Sequence, residues 1–230
     1  MTTQKTISIV IPALNEAPAI QQVIREVPSE RLKRLGYTTQ ILVVDNGSTD
    51  GTGDLAREAG AQVISELARG YGRAYKTGLK NACGEIIVCV DGDLSYPLGE
   101  LPQLVAKMDA EGLDFLTTNR LGGADLGSIP WLNRIGNVVL TTLIRLLFGV
   151  PLKDSQSGMW IICKHLLERI TPESDGMPFS QELKIKAVRS TKAWKQVPIR
   201  YRKRVGKVEL NPFRDGLKNL IHLVKLRLSS

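Results

Sequence analysis

The sequence predicts an α/β domain of the doubly wound kind, a mostly parallel sheet with helices on both faces. Three observations lead there. Continuous apolar runs (ISIVIPA, QILVVD, EIIVCV) recur through the first half, as strands buried on both faces of a parallel sheet require. Segments of helical period separate them. Each run also ends in polar, turn-forming residues, and in such sheets ligands bind beyond the carboxyl ends of the strands.

The elements follow in order. Ile7 to Ala13 is the first strand, after which Asn15 is placed to cap a helix with Pro18 in its first turn. Ile20, Val23, Ile24 and Val27 repeat at i, i+3, i+4, i+7 and give that helix one apolar face. Gln40 to Asp45 is the second strand, and Asp50 or Thr52 can start the next helix. Ala61 to Ser65 forms a third strand, Tyr71 to Ala82 a helix, and Glu85 to Val90 the fourth strand, ending at Asp91-Gly92-Asp93. Beyond it the pattern gives a helix over 98–110, a strand at LDFLTTN, a long apolar helix over 131–148 and a strand at GMWIIC. A helix over 180–189 and a strand at AWKQVPIRYRKR with a basic outer face come next. An amphipathic helix closes the chain, with Phe213, Leu217, Leu220, Ile221, Val224 and Leu228 on one stripe.

A chain of 230 residues without internal repeats or a low-complexity linker fits one domain. Its three scattered cysteines make no CxxC pair and are expected as reduced thiols in a cytosolic compartment, Cys89 as a buried structural one. The opening MTTQKTISIV has neither a charged n-region nor an apolar h-region, so no targeting segment is expected there. The longest apolar stretch, Val138 to Val150, is interrupted by Arg145 and is shorter than the roughly 20 residues of a spanning helix. The net charge of +8 suits nucleic acid, anionic lipid or a polyanionic substrate. Nucleic acid is disfavoured because only Tyr201 is interleaved with the bases Arg200, Arg202, Lys203, Arg204 and Lys207.

The sharpest chemical feature is Asp91-Gly92-Asp93 after a buried strand. Two carboxylates one residue apart can share a divalent cation that holds a diphosphate; a plain surface turn is the competing reading. Asp45 occupies the equivalent strand end and can accept hydrogen bonds from a base or ribose, or act as a turn residue. Asn15-Glu16 is equally a capping pair. Gly70 and Gly72 begin a helix but make an incomplete dinucleotide fingerprint, since Tyr75 stands where a third glycine belongs; close backbone approach at a phosphate-binding helix start fits them better. Arg120 and Arg134 suit a phosphate-bearing acceptor, because Arg grips phosphate through paired donors.

Taken together, IPALNE (11–16), VVDNGSTDGT (43–52), RGYGRAYKTGL (69–79), VDGDLSYP (90–97), TTNR (117–120), DSQSGM (154–159), SQELKIKA (180–187) and VPIRYRKRVGKVEL (197–210) resemble the inverting family 2 glycosyltransferases of GT-A fold. Within them the chain is most similar to dolichyl-phosphate mannose synthase and the polyprenyl-phosphate hexosyltransferases. The chain departs in having DGD for the common DAD, Leu14 before Asn15-Glu16 and TTNR for GSR.

That resemblance implies a GT-A domain over 1–230: a nucleotide-sugar-binding half (1–97), an acceptor-binding half (98–208) and the closing helix (209–230). Pro12, Asn15, Glu16, Asp45, Gly72 and Asp91 would bind the nucleotide sugar, and Asp91 and Asp93 a Mg²⁺ or Mn²⁺ ion. Asp93, Arg120 and Glu182 would carry catalysis, Glu182 lying with Gln181 in the segment that usually holds an acidic residue near the acceptor. Arg120, Arg134 and Arg202 would grip acceptor phosphate. The implied reaction moves a hexose from GDP-mannose or UDP-glucose to a polyprenyl or dolichyl phosphate. A hydroxyl acceptor and a non-catalytic nucleotide-sugar-binding subunit are the alternatives. The basic stretch and the two apolar helices lead us to expect peripheral attachment to the cytoplasmic face of a membrane; the same faces would suit a membrane-protein partner or a second copy of the chain.

Overall fold

The computed structural model describes residues 5–122, 128–206 and 212–229, without the side chains of 212 and 213; Lys207 and Phe213 therefore lie outside the described side chains. The first half runs β1 (Lys5–Ala13), α1 (Ile20–Arg25), α2 (Ser29–Arg34), β2 (Tyr37–Asp45), α3 (Thr52–Glu58), β3 (Gln62–Ser65), α4 (Tyr71–Asn81) and β4 (Ile86–Cys89). A 3₁₀ turn (Leu98–Glu100) then leads into α5 (Leu101–Glu111), β5 (Phe115–Asn119), α6 (Trp131–Phe148) and β6 (Trp160–Cys163). The chain continues through α7 (Lys164–Leu167), α8 (Phe179–Ser190), β7 (Trp194–Pro198) and α9 (Pro212–Leu228).

Seven strands form one sheet in the order β3-β2-β1-β4-β6-β5-β7. Every pairing is parallel except those of β6, which runs antiparallel to both β4 and β5. The chain enters β6 from the carboxyl ends of its neighbours, so residues 154–159 cross the same rim that receives Asp45 and Asp91. The alternation of β1 explains its unbroken apolar run: Ile7, Ile9 and Ile11 enter one core with α1 and α5, while Val10 enters the other with α4, α6 and α8. Each such fully buried aliphatic contributes about 1.5–3 kcal/mol, which makes both faces of the sheet structural. Ser8, the polar residue in this run, is buried but donates to Gln40 Oε1 at 2.6 Å and accepts from the Gly84 amide at 2.9 Å.

Three expectations change. Asn15 caps no helix; its backbone is left-handed (φ 55°), and its Oδ1 accepts from the Thr49 amide at 3.0 Å, so α1 starts only at Ile20. The helix expected over 98–110 opens as a 3₁₀ turn. The basic strand is shorter than its alternation suggests, because β7 stops at Pro198. After the Ile199 amide bonds to Asn119 O, the chain leaves the sheet and crosses the acidic rim, donating from the Arg202 amide to Ser95 O and from the Val205 amide to Asp93 O, both at 2.9 Å.

Candidate active site

The loops after β1 and β2 are stitched into one wall. Backbone amides of Asn15, Glu16 and Ala17 donate to Ser48 Oγ, Thr52 Oγ1 and Asp50 Oδ2 at 2.9–3.0 Å. Asp45, at the end of β2 opposite Ala13, accepts from the Ser48 amide through Oδ1. Pro12, Asn15, Glu16 and Asp45 thus share the rim beyond β1 and β2.

Asp91 and Asp93 stand beside them, just past β4. Asp91 Oδ1 accepts from Tyr71 Oη at 3.0 Å, and Gly158 packs so closely that a Cβ there would lie 2.2 Å from Oδ2. Asp93 is 6% exposed; its Oδ1 accepts from the Ser95 amide and hydroxyl. Immediately after Asp93, Leu94 is held at φ 64°, and Leu94 and Asn15 are the non-glycine residues with positive φ among the described residues. Both lie in rim loops, where local strain is held by surrounding structure.

Arg204 enters this rim from the crossing segment. Its Nη2 pairs with Glu16 Oε1 at 3.0 Å and its Nε lies 3.6 Å from Asp93 Oδ2. Burial, then repulsion from Asp93, pushes the Asp91 carboxyl up to about 6. Burial raises Glu16 to about 7 against the pull of Arg204, with Asp93 and Asp91 adding to the rise. Glu16 Oε2 is buried without a hydrogen-bond partner. Glu16, Asp91 and Asp93 offer the oxygen donors that a hard divalent cation takes, and one oxygen of Glu16 is unsatisfied, so the chemistry of this rim suits such an ion.

Arg120, just past β5, is held by Asp154: Nε and Nη2 donate to its two oxygens at 2.8 and 2.9 Å, and the Arg120 amide adds a third bond at 2.9 Å. Asn137 of α6 bonds the same carboxylate at 2.7 Å. The fully buried Lys184 donates to the carbonyls of Ser155 and Ser157, fixing the loop that carries Asp154 and Gly158. Arg120 also lies 5.4 Å from the Tyr201 ring, which packs edge-on to Tyr96 at 5.2 Å.

Three expected site residues sit elsewhere, and a fourth is exposed one turn from a site partner. Glu182 is 0% exposed, and its oxygens hold the amides of Glu173 and Ser174, Lys186 Nζ and His222 Nε2 at 2.7–3.0 Å, so it has no oxygen free to act on a substrate. Arg202 turns away to Glu26 at 2.9 Å; the rim cation is Arg204, two residues on. Gly72 answers to packing within the chain, since a Cβ there would meet Ser174 O at 2.3 Å and Phe179 Cβ at 2.8 Å. Arg134 is exposed on the first turn of α6, one turn before Asn137. Sequence reasoning missed Arg204, Tyr71, Asp154 and Lys184 as site residues. All four stood inside recognised motifs, but nothing local marked their partners.

A mostly parallel sheet of this topology, with an acidic rim at the strand ends, is the fold of the GT-A glycosyltransferases. The chain belongs to glycosyl transferase family 2, whose model matches residues 8–171. It is 34% identical over 217 residues to the low-salt glycan biosynthesis hexosyltransferase Agl6 of Haloferax volcanii, covering 94% of this chain and 52% of that protein. The chain thus spans about half the length of that relative. Against the dolichyl-phosphate hexose transferase of the same organism it is 32% identical over 212 residues, 91% of this chain and 89% of the other. Among solved structures it is similar to glucosyl-3-phosphoglycerate synthase of Mycobacterium tuberculosis in complex with Mn²⁺, UDP and glucosyl-3-phosphoglycerate, with TM-score 0.76 and 25% identity over 97% of this chain and 80% of that one.

Proposed function

We propose that this chain transfers a hexose, with inversion, from a nucleotide diphosphate sugar to a polyprenyl or dolichyl phosphate. The observation that carries the phosphate acceptor is the contrast between Glu182 and Arg120. A hydroxyl acceptor needs a general base, yet the carboxylate of the acceptor half expected near the reaction, Glu182, is sealed in hydrogen bonds. A phosphate oxygen is already anionic near neutral pH and needs no such base. What it needs is a positioned cation, and Arg120 stands at the rim with its orientation fixed by Asp154. The relative named as a dolichyl-phosphate hexose transferase, matched along 89% of its length, supports the same acceptor.

In this reading Pro12, Asn15, Glu16 and Asp45 receive the nucleoside. Asp91 and Asp93 hold Mg²⁺ or Mn²⁺, which when bound neutralises charge on the departing diphosphate. The neighbour solved with Mn²⁺ and UDP-glucose supports the cation and leaves GDP-mannose and UDP-glucose both open as donors. Arg120 steadies the attacking phosphate on the opposite face of the sugar. Tyr201 lies over the guanidinium with Tyr96 packed edge-on against it, so positioning and charge carry most of the rate.

The membrane enters as the source of the acceptor. Trp131, Ile135, Val138 and Leu146 of α6 and Leu217, Ile221, Val224 and Leu228 of α9 are exposed, on helices that pack together and also carry Arg145, Lys218, Lys225 and Arg227. Such a surface suits an interface of apolar chains and anionic head groups, on the cytoplasmic face in this reading. No helix among the described residues is long and apolar enough to cross a membrane.

The test is a donor panel: purified chain, Mn²⁺ or Mg²⁺, a short polyprenyl phosphate, and radiolabelled GDP-mannose or UDP-glucose in parallel. Label passing to lipid with one donor, and lost on adding EDTA, supports the proposal. Donor binding without transfer to lipid phosphate, together with transfer to a hydroxyl compound, refutes its acceptor.

A further inference from the structure

The end of the sheet opposite the acidic rim holds a convergence of metal-binding side chains. Asp114 immediately precedes β5, Cys163 ends β6 and His165 is the second residue of α7. One ligand atom from each lies within 4.8 Å of the others. The five residues of β5 separate this point from the rim by about 15 Å, so the two clusters are independent.

Backbone pairing builds the convergence. The Cys163 amide donates to Asp114 O at 2.9 Å, and the Asp114 amide to Ala193 O at 2.7 Å. The Lys164 amide donates to Glu85 O at 2.8 Å where the chain turns into α7, which presents His165 beside Asp114. Thr191 Oγ1 aims the Asp114 carboxylate from the far side at 2.6 Å, and His165 Nε2 lies 3.0 Å from its other oxygen. Cys163 Sγ is half-buried and makes a long contact of 3.6 Å to Leu113 O. His165 is 63% exposed in its side chain, leaving solvent a path to the cluster.

The donor set selects the ion. One sulfur, one imidazole nitrogen and one carboxylate oxygen suit Zn²⁺, with water completing four-coordination, whereas Mg²⁺ and Ca²⁺ take oxygen ligands such as those of Asp91 and Asp93. Thr191 supplies the outer contact that fixes a metal-ligating carboxylate. We propose that Asp114, Cys163 and His165 form a second, thiophilic metal site that takes Zn²⁺ and staples β5, β6 and α7 at the sheet end away from the transferase rim. On binding, the Cys163 thiol releases its proton to solvent, and one His165 ring nitrogen gives its lone pair to the ion.

Cobalt tests this on the whole chain, because a thiolate ligand gives Co²⁺ a sulfur-to-metal charge-transfer absorption that the all-oxygen rim does not. Titration of the metal-free protein with CoCl₂ is expected to develop that band at one equivalent and lose it on adding one equivalent of ZnCl₂. Cys163→Ser should abolish the band, and Cys83→Ser should keep it. Asp91→Asn combined with Asp93→Asn should also keep it. His165→Ala, at an exposed position, should weaken Co²⁺ binding at least tenfold with an unchanged circular-dichroism spectrum. Absence of the band in the native chain, or its survival in Cys163→Ser, would overturn the proposal.

Discussion

Arg120 and Asp154 form a two-pronged ion pair at the edge of the rim, with Asp154 fully buried and the Arg120 side chain 14% exposed. Burial opposes ionisation of Asp154, but the Arg120 guanidinium outweighs it and holds the carboxyl at about 2. Removing one partner of such a pair leaves an uncompensated charge. Asp154→Ala should therefore cost about 3–5 kcal/mol in urea unfolding and also lower turnover, since Arg120 loses its orientation. The sign with pH follows from the depressed value. The stabilisation is complete above the ordinary aspartate range and is lost as pH falls from about 4 toward 2, and a pH series of unfolding midpoints checks it.

Glu182→Gln separates structure from chemistry. Burial would raise this carboxyl, but His222, Lys186 and two amides hold it at about 2. The variant should lose about 3–5 kcal/mol of stability, while kcat of the folded enzyme stays within about twofold of the native value. A kcat loss of about a hundredfold or more in folded protein is what removing a general base would produce, and would restore Glu182 to the reaction.

Glu16 gives the opposite pH sign. Its carboxyl is raised to about 7, chiefly by burial, so the protonated form is favoured in the folded chain. Its contribution to stability is complete below about 4.5 and is lost as pH rises through 7. Glu16→Gln should flatten that part of the stability profile, and ¹³C carboxyl titration of the native chain should report a midpoint near 7 in the absence of metal. A midpoint in the ordinary glutamate range would contradict the burial of Glu16 beside Asp93 and Asp91.

Kinetics should divide the rim from the helix. Asp93→Ala should reduce turnover below detection with either metal. Arg134→Ala, at an exposed site, should raise KM for the lipid phosphate while leaving kcat within about twofold, the pattern of lost uniform binding. Steady-state assays varying one substrate at a time distinguish these outcomes.

The buried strands and the rim were legible because their signals are local. An apolar run ending in Asp91-Gly92-Asp93 contains both the strand and the turn, and α6 covers 131–148 as its periodicity predicts. What escaped depends on distant chain. The partners of Glu182 include His222, forty residues on, and Arg204 meets Glu16 across 188 residues. The alternation of AWKQVPIRYRKR continues past Pro198, but the hydrogen bonds from Arg202 and Val205 go to the rim carbonyls of Ser95 and Asp93, which no local period encodes. Asn15 reads as a cap by type, yet its left-handed backbone is set by Thr49 on the neighbouring loop.

The choice of acceptor is decided by offering polyprenyl phosphate and the unphosphorylated polyprenol of equal length side by side, with the preferred donor and metal, and weighing the products by mass spectrometry. A phosphate-specific transferase gives a glycosyl phospholipid from the phosphate, no product from the alcohol, and no product in Arg120→Ala. Glycosylation of the alcohol at a comparable rate would contradict that specificity.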